Sequence, residues 1–153
     1  FLLKFKFESL REQDLDACAD AILLTLKGQL ATVSEDRETV KRMIYREKVE
    51  TIVAKREGKI VGLISGTLPI QPRITLITVT DGQSAREGLS GLLIDEFLKT
   101  ARKRTPKARF ILHNEFAENY KAIGLFSMKG FIVTGFMRDT VTGQDVVFMK
   151  KPL

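Results

Sequence analysis

Thr78-Val79-Thr80-Asp81-Gly82-Gln83-Ser84-Ala85-Arg86-Glu87-Gly88-Leu89-Ser90-Gly91-Leu92-Leu93 is the stretch from which the rest of this chain can be placed. Ile74 to Thr80, which leads into it, is dense in β-branched residues and reads as the strongest strand. Asp81 to Glu87 reads as a small-residue loop. An amphipathic helix follows from about Gly88 to Arg104, with Leu89, Leu92, Leu93, Phe97 and Ala101 facing inward. The first amides of such a helix have no partner within it, and its dipole favours an anion at that end. Gly88, Ser90 and Gly91 lack bulky side chains, so a diphosphate can approach the backbone there. Ordinary turn chemistry is the commoner reason for a glycine-rich helix start. No Gly-Lys-Ser/Thr follows, which excludes a Walker A loop, and the Gly-x-Gly-x-x-Gly spacing of a dinucleotide-binding turn is missing.

Working outward, Leu3 to Glu8 alternates strictly and predicts a first strand. From about Glu12 the period turns helical, with Leu15, Cys18, Ala19, Ile22, Leu23 and Leu26 on one face and Gly28 as a stop. Thr32-Val33-Ser34-Glu35 matches a capping box for a second helix, Ser34 to Arg46, with Val40, Met43 and Ile44 inward. Thr51 to Lys55 and Ile60 to Ile64 form a hairpin around Glu57-Gly58, and Pro69 and Pro72 mark a loop. Beyond Pro106, Phe110-Ile111-Leu112 reads as a short buried strand, and a helix spans about Ala117 to Met128, ended by Lys129-Gly130. Phe131 to Met137 and Asp145 to Met149 are two further strands, joined by a turn at Thr142-Gly143. The order β, α, α, β, β, β, α, β, α, β, β contains two strand–helix–strand crossings. It predicts one α/β (α+β) domain over residues 1–153, a mixed sheet with helices on both faces.

Composition narrows the function. With 44% hydrophobic and 29% charged residues the chain is an ordinary globular one rather than disordered. No apolar run approaches the roughly 18–20 residues of a membrane helix, and Phe1-Leu2-Leu3 is too short for a signal-peptide core. Cys18 is the one cysteine and reads as a small buried hydrophobe, so a cytoplasmic protein is expected. His113 is the one histidine; it and Cys18 make no zinc-type ligand cluster, and no serine has a nucleophile motif around it. A net charge of +6 favours anionic partners. Lys99, Arg102, Lys103, Arg104 and Lys107, however, close a predicted helix, where cations complement the dipole, and they are not interleaved with aromatics. A solvated helix end is therefore favoured over a nucleic-acid patch.

The second informative stretch is Asn119-Tyr120-Lys121-Ala122-Ile123-Gly124-Leu125-Phe126-Ser127-Met128-Lys129-Gly130-Phe131. Together the two stretches resemble the GNAT superfamily of N-acetyltransferases, whose last helix carries Asn-x-x-Ala-x-x-Leu-Tyr/Phe-x-x-x-Gly-Phe. Asn119, Ala122, Leu125, Phe126, Gly130 and Phe131 match every position of that pattern. The family's other pattern, Gln/Arg-x-x-Gly-x-Gly/Ala, is met with departures. Gly88 takes the first glycine, Ser90 stands at Gly/Ala, and Ala85 stands where Gln or Arg is expected, with Arg86 one place late.

The resemblance implies a mostly antiparallel seven-stranded sheet, splayed between strands 4 and 5. It also implies acetyl-CoA as acyl donor and an amine acceptor, a small molecule or a protein. The pantetheine arm would pair with the edge Ile77, Thr78 and Val79. The diphosphate would lie on the amides of Arg86, Glu87, Gly88, Leu89, Ser90 and Gly91. Asn119 would contact the arm, and Phe126 would pack near the thioester. Family members transfer the acyl group directly, and many place a tyrosine at Phe126 to protonate the thiolate. Tyr120 lies six residues earlier, about 240° around the helix, and is a poor substitute. The fourth strand lacks the glutamate some members use as base. His113 and Glu115, with Asn114 as a polar contact, are the remaining acid/base candidates, since histidine titrates near neutrality. His113 equally reads as a strand end bonded to the backbone, and Glu115 as a solvated loop residue. Arg37, Arg42 and Arg138 are candidates for an acidic acceptor, or surface charge. A catalytically silent acyl-CoA-binding or interaction module of the same fold is the alternative function, and a homodimer is one open option for assembly. No metal is implied.

Overall fold

The computed structural model of the chain describes residues 4–25, 36–138 and 143–153. Its elements are β1 (Lys6–Ser9), a 3-10 turn (Glu12–Asp14), α1 (Leu15–Thr25), α2 (Arg37–Ile44), β2 (Val49–Arg56), β3 (Lys59–Thr67), β4 (Arg73–Val79), α3 (Gly82–Arg86), α4 (Leu89–Arg104), β5 (Phe110–Phe116), α5 (Tyr120–Met128), β6 (Ile132–Arg138) and β7 (Asp145–Pro152). The strands form one seven-stranded sheet in the order β1-β2-β3-β4-β5-β7-β6. Only the β4/β5 neighbours are parallel, because α4 carries the chain back across the sheet between them. β7 returns between β5 and β6, so the expected mixed, mostly antiparallel sheet is the observed one.

Each face of the sheet buries its own helices. Cys18, Ala19 and Ile22 of α1 and Val40 and Ile44 of α2 pack on Val53, Leu63 and Leu76. Leu89, Leu93, Ile94 and Phe97 of α4 and Phe126 of α5 pack on Ile52, Ala54, Ile64, Ile74, Ile111 and Met149. Each fully buried Val, Leu, Ile, Phe or Met among them contributes roughly 1.5–3 kcal/mol by leaving water. Leu92, expected inward, is 40% exposed, and Ile94 and Leu98 are buried instead. β6 is an edge strand whose Ile132, Val133 and Phe136 remain more than half exposed.

Several boundaries differ from the sequence expectations. α2 starts at Arg37, not Ser34, because Asp36 is the cap; its carboxylate accepts from the amides of Glu38 and Thr39 at 3.4 and 3.2 Å. Leu26, Gly28, the Thr32-Val33-Ser34-Glu35 box and Thr142 lie outside the described residues. Asp81 to Glu87 is not a loop: Asp81 caps the short helix α3. β5 runs on to Phe116, so His113 sits inside the strand rather than at its end. α5 starts at Tyr120, after a turn in which the amide of Asn119 bonds the carbonyl of Phe116.

A bulge shapes the centre of the sheet. Ser65 pairs with Leu76 and Gly66 with Ile74, so Thr75 is an extra residue in β4. Its hydroxyl donates to the carbonyl of Ser65 at 3.2 Å. The extra residue reverses the alternation: Ile74 points into the α4 core and Leu76 into the α1/α2 core. A bulge bends its strand and increases the twist. The β4/β5 ladder ends here, pairing only Arg73 with Leu112 and Ile74 with His113. Asn114, Glu115 and Phe116 stay with β7, while Ile77, Thr78 and Val79 stay with β3. The sheet thus forks between strands 4 and 5.

Candidate active site

The wall of the fork on the β4 side is Ile77, Thr78 and Val79, whose backbone edge toward β5 carries no strand. Thr78 offers only backbone there. Its side chain is buried on the other face, with its hydroxyl 2.7 Å from that of Thr25 in α1. Ile77 and Val79 are partly buried against the α4 core.

Just past β4, the chain enters α3 and then α4. Oδ1 of Asp81 accepts from the amide of Ser84 at 2.6 Å, and Oδ2 from its hydroxyl at 2.9 Å. These bonds, the backbone one foremost, hold the Asp81 carboxyl below its ordinary range. A depressed folded-state value means a stability contribution fully present above about pH 4 and lost as pH falls through that value. The thermal midpoint of the wild type should therefore fall more steeply from about pH 5 to about pH 3 than that of Asp81→Asn, whose amide still caps the helix. Equal slopes in a pH series of melts would refute this.

Gly88 joins the two helices at φ 83°, where nothing lies within 4 Å of an added Cβ. The backbone amides from Arg86 to Gly91 are not alike in their hydrogen bonding. The amides of Glu87 and Gly88 already bond the carbonyls of Gln83 and Ala85. The first bond into α4 runs from Leu92 to Gly88, which leaves the amides of Leu89, Ser90 and Gly91 at the helix start. The Glu87 carboxylate is bound by Arg56 and Gln83, with Lys4 at 3.9 Å. Burial works to raise its pKa, yet the bonds from Gln83 and Arg56 and the nearby cations leave it lowered. The Arg86 side chain is exposed.

At the root of the fork the structure brings together His113, Glu115, Asn119 and Phe126. His113 is buried, with Nδ1 3.0 Å from the carbonyl oxygen of Ile74 and Nε2 2.7 Å from Oε2 of Glu115. Oε1 of Glu115 accepts from Nδ2 of Asn119 at 2.9 Å. Phe126 is fully buried; its ring stacks on His113 at 3.8 Å and meets Phe131 edge-on at 5.1 Å. Both ring nitrogens of His113 are thus engaged, one by the backbone. Tyr120 is 74% exposed.

Other candidates are spoken for. Arg37 pairs with Asp20, Arg42 bonds Thr39, and Arg138 lies 3.5 Å from Asp145. Burial pushes the Cys18 thiol up to about 12, so it is no thiolate nucleophile. Among the described residues no group of three or more His, Cys, Asp or Glu could hold a metal, and no helix is long and apolar enough to cross a membrane. A cleft of 340 Å³ lined by Ser9, Tyr45, Glu47 and Glu50 lies where Arg104 closes α4, at the other end of that helix, and holds none of the expected residues.

Two features escape a reading of the sequence. The Lys129 side chain lies along the first turn of α4, its Cε 3.1 Å from an added Cβ at Gly91 and its ammonium 2.8 Å from Asp95. Nothing in the sequence links residues so far apart. The Asp81 cap had a signal, an aspartate directly after a strand and before Gln-Ser-Ala-Arg, masked by Gly82 and Gly88.

The strand order, the fork and the helices on both faces define the fold class, and known proteins share it. The family model for the acetyltransferase (GNAT) domain matches residues 16–153, so the chain belongs to the GNAT acetyltransferase family. The ribosomal-protein-alanine N-acetyltransferase of Escherichia coli shares its fold at a TM-score of 0.80 and 19% identity, over 97% of this chain and 93% of that one. That of Brucella melitensis does so at 0.79 and 24%, over 97% and 99%. A spermidine N-acetyltransferase SpeG chimera from Vibrio cholerae and hSSAT follows at 0.72 and 16%, over 98% and 96%. No curated protein sequence matches the chain.

Proposed function

We propose that this chain transfers an acetyl group from acetyl-CoA to an amine by direct attack in a ternary complex. The observation that carries it is the fork: β4 leaves β5 after Ile74, and α4 begins just beyond β4. An extended pantetheine arm fits the free backbone edge of Ile77, Thr78 and Val79 as an added strand. The diphosphate fits the amides of Leu89, Ser90 and Gly91, with Arg86 and Lys129 as nearby cations. Asn119, at the start of α5, is within reach of the arm. A β4 amide would stabilise the oxyanion as the amine attacks the thioester carbonyl and the thiolate leaves.

Glu115 is the group able to take the proton from the attacking amine, directly or through water, because its carboxylate is part-exposed beside the fork. The acceptor is a small-molecule or protein amine; the neighbours named for alanine and for spermidine acetylation support that range. The unpaired Cys18 supports a cytoplasmic setting. The open edge of β6 is the surface a homodimer would use.

A specific observation favours a second reading, a silent acyl-CoA-binding module. Phe126 stands at the tyrosine position and both His113 nitrogens are occupied, so no obvious acid meets the thiolate. Thiol release from acetyl-CoA across a panel of amines, beside calorimetry of coenzyme A, separates them. Turnover on at least one amine is expected. Binding without turnover on any amine supports the silent module, and no binding at all ends both.

A further inference from the structure

His113 is a costly residue for its position. Its ring is 2% exposed and lies within the apolar core of α4 and α5, where an uncharged hydrophobic side chain would need no partners. Yet it touches three elements at once: the Ile74 carbonyl of β4, Glu115 on its own strand β5, and the Phe126 ring of α5. Glu115 passes the contact on to Asn119 at the start of α5. Ile74 is also the last residue of β4 paired with β5. The brace therefore sits where the ladder stops.

We infer that His113 is a positioning residue, a cross-brace that fixes the opening between β4 and β5 and, through Glu115, holds the Asn119 amide. A carbonyl oxygen can only accept, so Nδ1 carries a proton and donates it to Ile74. Nε2 and Oε2 of Glu115, 2.7 Å apart, share a further proton, and this second bond keeps the ring from rotating. The residue acts on the acyl donor through the width of the fork, not by touching the reacting atoms. Its effect on donor binding rests on the proposed function; the brace itself does not.

The chain's single histidine makes the test clean, since an imidazole nitrogen spectrum shows one residue. Without ligand, Nδ1 should be protonated and slow to exchange. His113→Phe keeps a ring on Phe126 and removes both hydrogen bonds. His113→Asn retains a donor near the Nδ1 position. The folded Phe variant should bind coenzyme A about tenfold more weakly and exchange its Asn114 amide faster, with the Asn variant staying within about threefold of wild type. An unprotonated Nδ1, a Phe variant that binds like wild type, or an Asn variant as impaired as Phe overturns the brace. If the wild type binds no coenzyme A, the functional assignment fails, while the Nδ1 proton and the Asn114 exchange still decide the brace. If the Phe variant does not fold, Glu115→Gln should weaken coenzyme A binding about threefold with Nδ1 still protonated; unchanged binding overturns it.

Discussion

Gly66→Val should cost this chain more than about 3 kcal/mol and leave little folded protein. A Cβ at Gly66 would lie 2.2 Å from the carbonyl oxygen of Arg73 and 2.6 Å from Cζ of Phe97. The first contact is backbone, in the strand paired through the bulge, so it cannot swing aside. The second is a fully buried α4 ring at the centre of the core. Relief would require β3 and β4 to part where the bulge sets the fork. Gly124→Ala provides the opposite sign. Gly124 lies inside α5 with nothing within 4 Å of an added Cβ. Filling it should stabilise by about 0.5–1 kcal/mol. Urea titrations of both variants check the pair; a Gly66→Val midpoint equal to wild type would show that the β3–β4 packing is not as described.

Ser90→Glu should separate stability from donor binding. Ser90 is the second residue of α4, where a carboxylate complements the helix dipole and gains about 0.3–1 kcal/mol. The same carboxylate would occupy the ground assigned to the diphosphate. Like charges a few Å apart near a protein surface cost on the order of 3 kcal/mol, which predicts about a 100-fold loss of coenzyme A affinity. A higher melting temperature together with lost binding heat is the expected pair of results. Affinity within about threefold of wild type would move the diphosphate elsewhere.

Much of the fold was legible because its signals are local. The β-branched run at Ile74 to Thr80, the 3.6-residue period from Leu89 to Ala101, and the full pattern from Asn119 to Phe131 each sit on one element. Element order followed from them, and with it the crossover that makes β4 and β5 parallel. Where a local signal was weak the reading slipped. Two glycines disguise α3, and the apolar period of α4 does not by itself separate Leu92, which is exposed, from Ile94 and Leu98, which are buried.

The candidate site was legible as a set of residues but not as an arrangement. His113, Glu115, Asn119 and Phe126 could each be named from the sequence, yet nothing local says that the imidazole spans to the Ile74 carbonyl and stacks on Phe126. Lys129 beside Gly91 and the extra residue Thr75 in β4 were not visible at all. Hydrophobic period and capping chemistry act over a few neighbours, so the sequence alone determined the strands and the longer helices, though not α3, and which family they compose. The end of the β4/β5 ladder, the amides left at α4 and the partners of the buried histidine are contacts between distant segments, and only the tertiary packing of the two cores decided them.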